Sequence, residues 1–219
     1  MANEKDPIYA RIAMVGESDS GKSFSSLVIG SQLAAGDKTR LLDTEFRGKL
    51  YRTKFPIAEI ITLDLPFEVS KAMEVIESCR KNGTELLIMD SCSPFWDRIV
   101  DVSDEMKATV KDGRRIWAKL TPMWDKFKMA INAAPFHIIT TWKMKDVMSL
   151  TPGGPATKKV ITRGGGKALK FDYHLVFSLD ENRQARVVKD NYDLFSDWRE
   201  PKQIDAEVGK KIATWLKNN

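Results

Sequence analysis

The chain has 219 residues, 42% hydrophobic and 30% charged, which suits one large globular domain with a substantial core. No run of 18 apolar residues occurs and residues 1–6 are polar and mixed in charge, so neither a membrane span nor a signal peptide is expected, and the expected location is the cytoplasm. Two cysteines (Cys79 and Cys92) and two histidines (His137 and His174) give no disulfide framework and no zinc-ligand spacing, and the net charge of +5 is mild.

Strand and helix signals alternate along the chain. Arg11–Val15 reads as a buried strand, Lys22–Ala35 as a helix, and Arg40–Asp43 as a short strand closing on Asp43-Thr44-Glu45. Ile60–Leu63 is another strand, and Pro66 with Ser70 opens a helix that ends near Asn82-Gly83. Leu86–Met89 is an apolar strand running into Asp90. Helices over Trp96–Val110 and Ile116–Ala133 follow, broken by Asp112-Gly113, and Phe136–Thr140 is a fifth apolar strand. Residues 143–166 show no sustained period and read as a long basic Gly/Pro-rich loop. Tyr173–Leu179 and Gln184–Lys189 read as a hairpin, and Ile204, Val208, Ile212 and Leu216 mark one face of a C-terminal helix. The pattern predicts a single α/β domain over 1–219, residues 1–10 forming a tail, with a mainly parallel sheet covered on both faces.

Between the first strand and the first helix stands Gly16-Glu17-Ser18-Asp19-Ser20-Gly21-Lys22-Ser23, a match to G-x-x-x-x-G-K-[ST] in the place where that motif works. Glycines let successive backbone N–H groups turn inward on phosphate oxygens, and the helix brings its positive end to the same anion. The candidate nucleotide-binding residues are therefore Gly16 through Ser23 and Phe24. Lys22 is placed on the β- and γ-phosphates and the Ser23 hydroxyl on Mg²⁺. Tyr51 is a candidate to stack on the adenine.

Hydrolysis needs more than this loop: a metal organiser and a group that orients or deprotonates water. Leu86-Leu87-Ile88-Met89-Asp90 delivers Asp90 as the second candidate metal residue, and Glu45 is the candidate base. A GTPase would carry an Asn/Thr-Lys-x-Asp element, which Trp142-Lys143-Met144-Lys145-Asp146 does not fit. A small-molecule kinase would carry an arginine-rich lid, and 96–133 holds only Arg98, Arg114 and Arg115.

Several runs, in order from residue 12 to about 191, resemble the RecA core ATPase family, especially short phage-encoded recombination and strand-annealing ATPases. These are the phosphate loop, Asp43-Thr44-Glu45, Met89-Asp90-Ser91, His137 to Lys145, Gly165-Gly166-Lys167-Ala168-Leu169-Lys170-Phe171, and Arg186-Val187-Val188-Lys189-Asp190-Asn191. The resemblance implies a RecA-like core that hydrolyses ATP with Mg²⁺, with Glu45 activating water. It also implies a homo-oligomer with the nucleotide at the subunit interface, reached in trans by Lys189. Partners implied are single-stranded DNA and a single-strand-binding protein. The family's γ-phosphate-sensing glutamine falls at Thr141, and its second interface lysine falls at Asn191. Its N-terminal oligomerisation segment and C-terminal domain have no counterpart in these residues, which argues against long filaments of RecA type and leaves rings or short assemblies open.

The positive charge is local. From Lys143 to Lys170 there are seven cations (Lys143, Lys145, Lys158, Lys159, Arg163, Lys167 and Lys170) and one carboxylate, Asp146. Such a segment suits a phosphate backbone, where counterion release drives binding and salt weakens it. The first six of these cations are the candidate DNA-binding residues. Lys107, Lys111, Arg114 and Arg115 form a second basic group, where the family's first DNA loop falls. The expected function is ATP-driven single-stranded-DNA binding in recombination or annealing. A regulatory or assembly ATPase that grips a protein partner, and a helicase or packaging motor, are the alternatives.

Overall fold

The computed structural model describes residues 6–151, 154–161 and 172–219. Short β-branched and leucine-rich runs form a sheet at the centre: β1 (Arg11–Gly16), β2 (Thr39–Asp43), β3 (Glu59–Ile61), β4 (Leu86–Asp90), β5 (His137–Thr151), β7 (Leu175–Leu179) and β8 (Ala185–Asp190), in the order β3-β2-β4-β5-β1-β7-β8. Every neighbouring pair is parallel except β7 with β8. This is the α/β class read from the sequence.

Parallel strands need crossover segments, and those segments cover both faces. α1 (Lys22–Leu33) and the C-terminal α6 (Ala206–Asn218) pack on one face, where Leu27, Ile29, Val208 and Ile212 meet Ile12, Leu41, Ile88 and Ile139. α3 (Val69–Lys81), α4 (Ser93–Lys107) and α5 (Gly113–Asn132) cover the other, where Ile76, Phe95, Leu120 and Phe127 meet Ala13, Leu87 and Ile138. A single turn, α2 (Gly48–Tyr51), follows β2 and has no sequence signal of its own. α6 starts after Ile204 because the Asp205 carboxylate accepts from the N–H groups of Glu207 and Val208, fixing the helix start.

The segment expected to be one aperiodic loop is different. β5 leaves the sheet after Lys143, its last partner on β1 being Gly16, and continues to Thr151 as one arm of a hairpin. The other arm, β6 (Gly154–Ile161), pairs antiparallel with it from Met144↔Ile161 to Thr151↔Gly154. Val147 on one arm and Val160 and Ile161 on the other are strand-forming residue types. Seen beside the prolines and the charge, those residues gave too weak an alternation to reveal two strands. Arg163 and Lys167, and Lys170 with them, lie outside the described residues.

A buried polar clamp ties the opposite edge together. The Arg11 guanidinium donates to the carbonyls of Asn132, Ala134 and Phe136, and His137 Nδ1 accepts from Ala10 N at 2.9 Å. Burial, reinforced by the Arg11 charge, holds the His137 imidazole down to about 4. A base with a lowered folded value stabilises the fold above its unfolded value near 6.5, and that contribution is lost as pH falls toward 4. Unfolding midpoints in urea should therefore drop across pH 6.5 to 4. His137→Asn, which keeps an acceptor for Ala10 and removes the titration, should flatten that part of the curve relative to the parent chain.

Candidate nucleotide site

Strand alternation explains how the polar groups converge. On the α1 face β2 presents Leu41 then Asp43, β4 presents Leu86, Ile88 then Asp90, and β5 presents Ile139, Thr141 then Lys143. The apolar residues fill the core, and the last residues on that face are polar. They stand at the strands' C-terminal edge, where α/β sheets bind ligands.

The phosphate loop closes this edge. Gly16 admits no side chain, since a Cβ there would lie 2.5 Å from Ser20 Oγ and 2.6 Å from the Leu179 carbonyl. Gly21 holds a left-handed φ of 85° at the start of α1. The Lys22 ammonium turns back into the loop, donating to the Glu17 carbonyl and lying 3.4 Å from Ser20 Oγ. Burial lowers its pKa, against the opposing pull of Glu45 and Asp90.

Asp90 is 4% exposed, accepts from Thr141 Oγ1 at 2.5 Å, and also hydrogen-bonds the Ser23 side chain. Burial raises its pKa, and those two hydrogen bonds only partly offset the shift. Ser23 and Asp90 thus form one all-oxygen pair beside the loop. No group of three or more His, Cys, Asp or Glu suited to an ion lies among the described residues. That donor set fits Mg²⁺, which takes one or two protein oxygens together with phosphate and water, and it does not fit a metal needing an all-protein cage.

Glu45 sits across from Lys22, and its carboxylate is 3.0 Å from Lys143 Nζ, with 19% and 37% of the two side chains exposed. Its backbone is held firmly. Asp43 Oδ1 accepts from Glu45 N at 3.0 Å and Oδ2 from Gly48 N at 2.6 Å. Thr44 N donates to the Asp90 carbonyl at 2.8 Å, and Thr44 Oγ1 donates to the Ser91 carbonyl at 2.9 Å while accepting from Ser91 N at 2.8 Å. Thr44→Val should leave the Ser91 N–H unmet. The expected cost is about 1–3 kcal/mol of stability, read in denaturant unfolding.

The structure brings together the loop residues Gly16, Glu17, Ser18, Asp19, Ser20, Gly21, Lys22 and Ser23 with Glu45, Asp90 and Thr141. It also adds Lys143, a residue singled out in the sequence for DNA. Other candidates lie apart. Phe24 is 41% exposed and makes an edge contact with Phe55, and Tyr51 is half-buried against the α1-side core. Lys189 pairs with Val176 toward the end of β7 remote from the loop. In the second basic group Lys107 pairs with Asp104 at 2.5 Å and Arg114 lies 3.8 Å from Asp112. Lys145, Lys158 and Lys159 occupy register positions on the β5–β6 hairpin.

Sequence reasoning missed Asp43 and Thr44 as anchors, although they directly precede Glu45 at the end of β2. It also missed Arg183, in the β7–β8 turn, whose Cγ would lie 3.4 Å from a Cβ on Gly21. Nothing in a turn sequence signals such an approach.

A parallel sheet with a G-x-x-x-x-G-K-S loop at its edge, and with a buried carboxylate one strand beyond the intervening β5, defines a P-loop nucleotide-binding α/β domain. A family model described as an AAA domain matches residues 8–206, and the chain belongs to that family of ATPase domains. Among solved structures the chain is similar to a KaiC-like protein from the hyperthermophilic archaeon Pyrococcus horikoshii. That match has 16% identity and a TM-score of 0.45, covering 88% of this chain and 80% of that one. No curated protein sequence matches. No helix among the described residues is long and apolar enough to cross a membrane.

Proposed function

We propose that this AAA domain binds and hydrolyses ATP with Mg²⁺ and uses the nucleotide state to control its grip on single-stranded DNA, in strand annealing or recombination. The observation that carries this reading is the course of β5. The strand that sets Thr141 on Asp90 and Lys143 on Glu45 is the strand that leaves the sheet to form the cationic hairpin. A change at the phosphates therefore acts on Thr141 and Lys143, just before the same strand runs on into the hairpin.

Ser23 and Asp90 would hold Mg²⁺, which when bound supplies charge neutralisation to the phosphate oxygens. Lys22 and the loop N–H groups bind and orient the triphosphate, and Glu45 accepts the proton of the attacking water. Thr141 stands where a side chain can report the state of Asp90 to β5. Lys145, Lys158, Lys159, Arg163 and Lys167 supply phosphate-backbone contacts, which position a strand without reading its bases. The remoteness of Lys189 from the phosphate loop of its own chain supports an oligomer in which it reaches a neighbour's nucleotide, and a single-strand-binding protein is a partner suited to the same DNA.

ATP turnover measured with and without single-stranded DNA, across a salt series, tests this. Turnover should rise several-fold with DNA, and the rise should shrink steadily as salt increases. A rate indifferent to DNA but raised by an acidic peptide would instead favour an ATPase acting on a protein partner.

A further inference from the structure

Lys143 sits beside the phosphate loop as well as at the base of the hairpin. Its backbone N–H donates to Ser93 Oγ at 2.8 Å, and its register partner on β1 is Gly16, the first residue of the phosphate loop. Its ammonium lies 3.0 Å from Glu45, and its charge acts on Lys22 in the same pocket. Two cations, Lys22 and Lys143, thus face two carboxylates, Glu45 and Asp90, around one small volume beside Gly16.

We propose that Lys143 is a second, same-chain cation for the terminal phosphate of the bound triphosphate. This rests on reading the loop as an ATP site, and it deepens that reading by adding a catalytic residue. The terminal phosphate, with up to two negative charges, is a stronger partner for an ammonium than one carboxylate. Once Lys143 turns to it, Glu45 is released from its ion pair and can accept a proton. In the step that follows, the water oxygen bonds to the γ-phosphorus and the water proton goes to Glu45. The bond from γ-phosphorus to the β–γ bridging oxygen breaks, its electron pair staying on the diphosphate. Lys143 stabilises the charge on the transferring group, the work an arginine finger does in related chemistry. Because Lys143 belongs to the same chain as the loop, this contribution needs no neighbouring subunit.

The test compares the parent chain with Lys143→Ala and Lys143→Arg, using calorimetric binding of ADP and of the non-hydrolysable β,γ-imido analogue of ATP. For Lys143→Ala the analogue should bind about tenfold more weakly, with ADP affinity within twofold and turnover down at least tenfold. Lys143→Arg should recover most of the analogue affinity. Unfolding curves and ADP binding report whether each variant is folded. An unchanged ratio of analogue to ADP affinity overturns the proposal. So does a variant that loses only DNA affinity, which would return Lys143 to the hairpin's cationic set. If the parent chain binds neither nucleotide, the ATP reading itself fails and takes the proposal with it. If Glu45→Gln leaves turnover intact, only the choice of base fails, and the affinity ratio still decides Lys143.

Discussion

Glu45→Gln should lower ATP turnover by about 10²–10⁴-fold while nucleotide binding persists, because the change removes a proton acceptor and little else. The backbone of Glu45 is fixed by Asp43 and Thr44, not by its own carboxylate, so the loop keeps its shape in the variant. Glutamine retains an oxygen for Lys143 but cannot take the water proton. Under the proposed coupling the variant should also accumulate in the triphosphate-bound state and hold single-stranded DNA longer than the parent chain. Single-turnover ATP cleavage and DNA dissociation rates measure both effects. A Glu45→Gln chain that cleaves ATP at the parent rate would move the base elsewhere.

Asp90→Asn should do two opposite things: abolish Mg²⁺-dependent turnover and stabilise the fold. Burial raises the Asp90 pKa above its unfolded value, so a stabilising contribution present at low pH is lost as pH rises through the folded value. Asparagine carries no carboxylate whose charged form burial disfavours. Thr141 Oγ1 can still donate to the remaining amide oxygen, and Ser23 can accept from the new NH₂. For a chain of this size about 1 kcal/mol corresponds to roughly 2–4 °C in Tm. Without nucleotide or metal, Asp90→Asn should melt at least that much higher at pH 7, and the gap should close as pH falls toward 4. Added Mg²⁺ with an ATP analogue should raise the Tm of the parent chain more than that of the variant. A Tm for Asp90→Asn below that of the parent at pH 7 would mean the carboxylate is satisfied by its neighbours after all.

What could be read in advance divides along physical lines. The phosphate loop, Asp90 and Glu45 stood out in the sequence because each lies at or just past the end of an apolar strand, and strand ends at one sheet edge are brought together by the fold class alone. The sheet itself was visible in β1 and β4, where four apolar residues in a row suit a strand buried on both faces. The hairpin was hidden because β6 lies off the main sheet path, pairing with β5, and because the strand period in this stretch is diluted by lysines, prolines and glycines. Lys143 was read as part of a cationic run because sequence shows charge density but not which side of a strand break a residue falls on. The register opposite Gly16 moves it from the hairpin to the nucleotide edge. Asp43 and Thr44 were passed over because their work is done through backbone N–H groups of the next loop, which no side-chain pattern records.

The central claim is that phosphates at the sheet edge govern a cationic hairpin through β5, and fluorescence anisotropy of a labelled oligonucleotide tests it most directly. Affinity for single-stranded DNA should be at least tenfold tighter with Mg²⁺ and the β,γ-imido ATP analogue than with ADP or no nucleotide, and it should weaken as salt rises. Equal affinity in all three nucleotide states would contradict it.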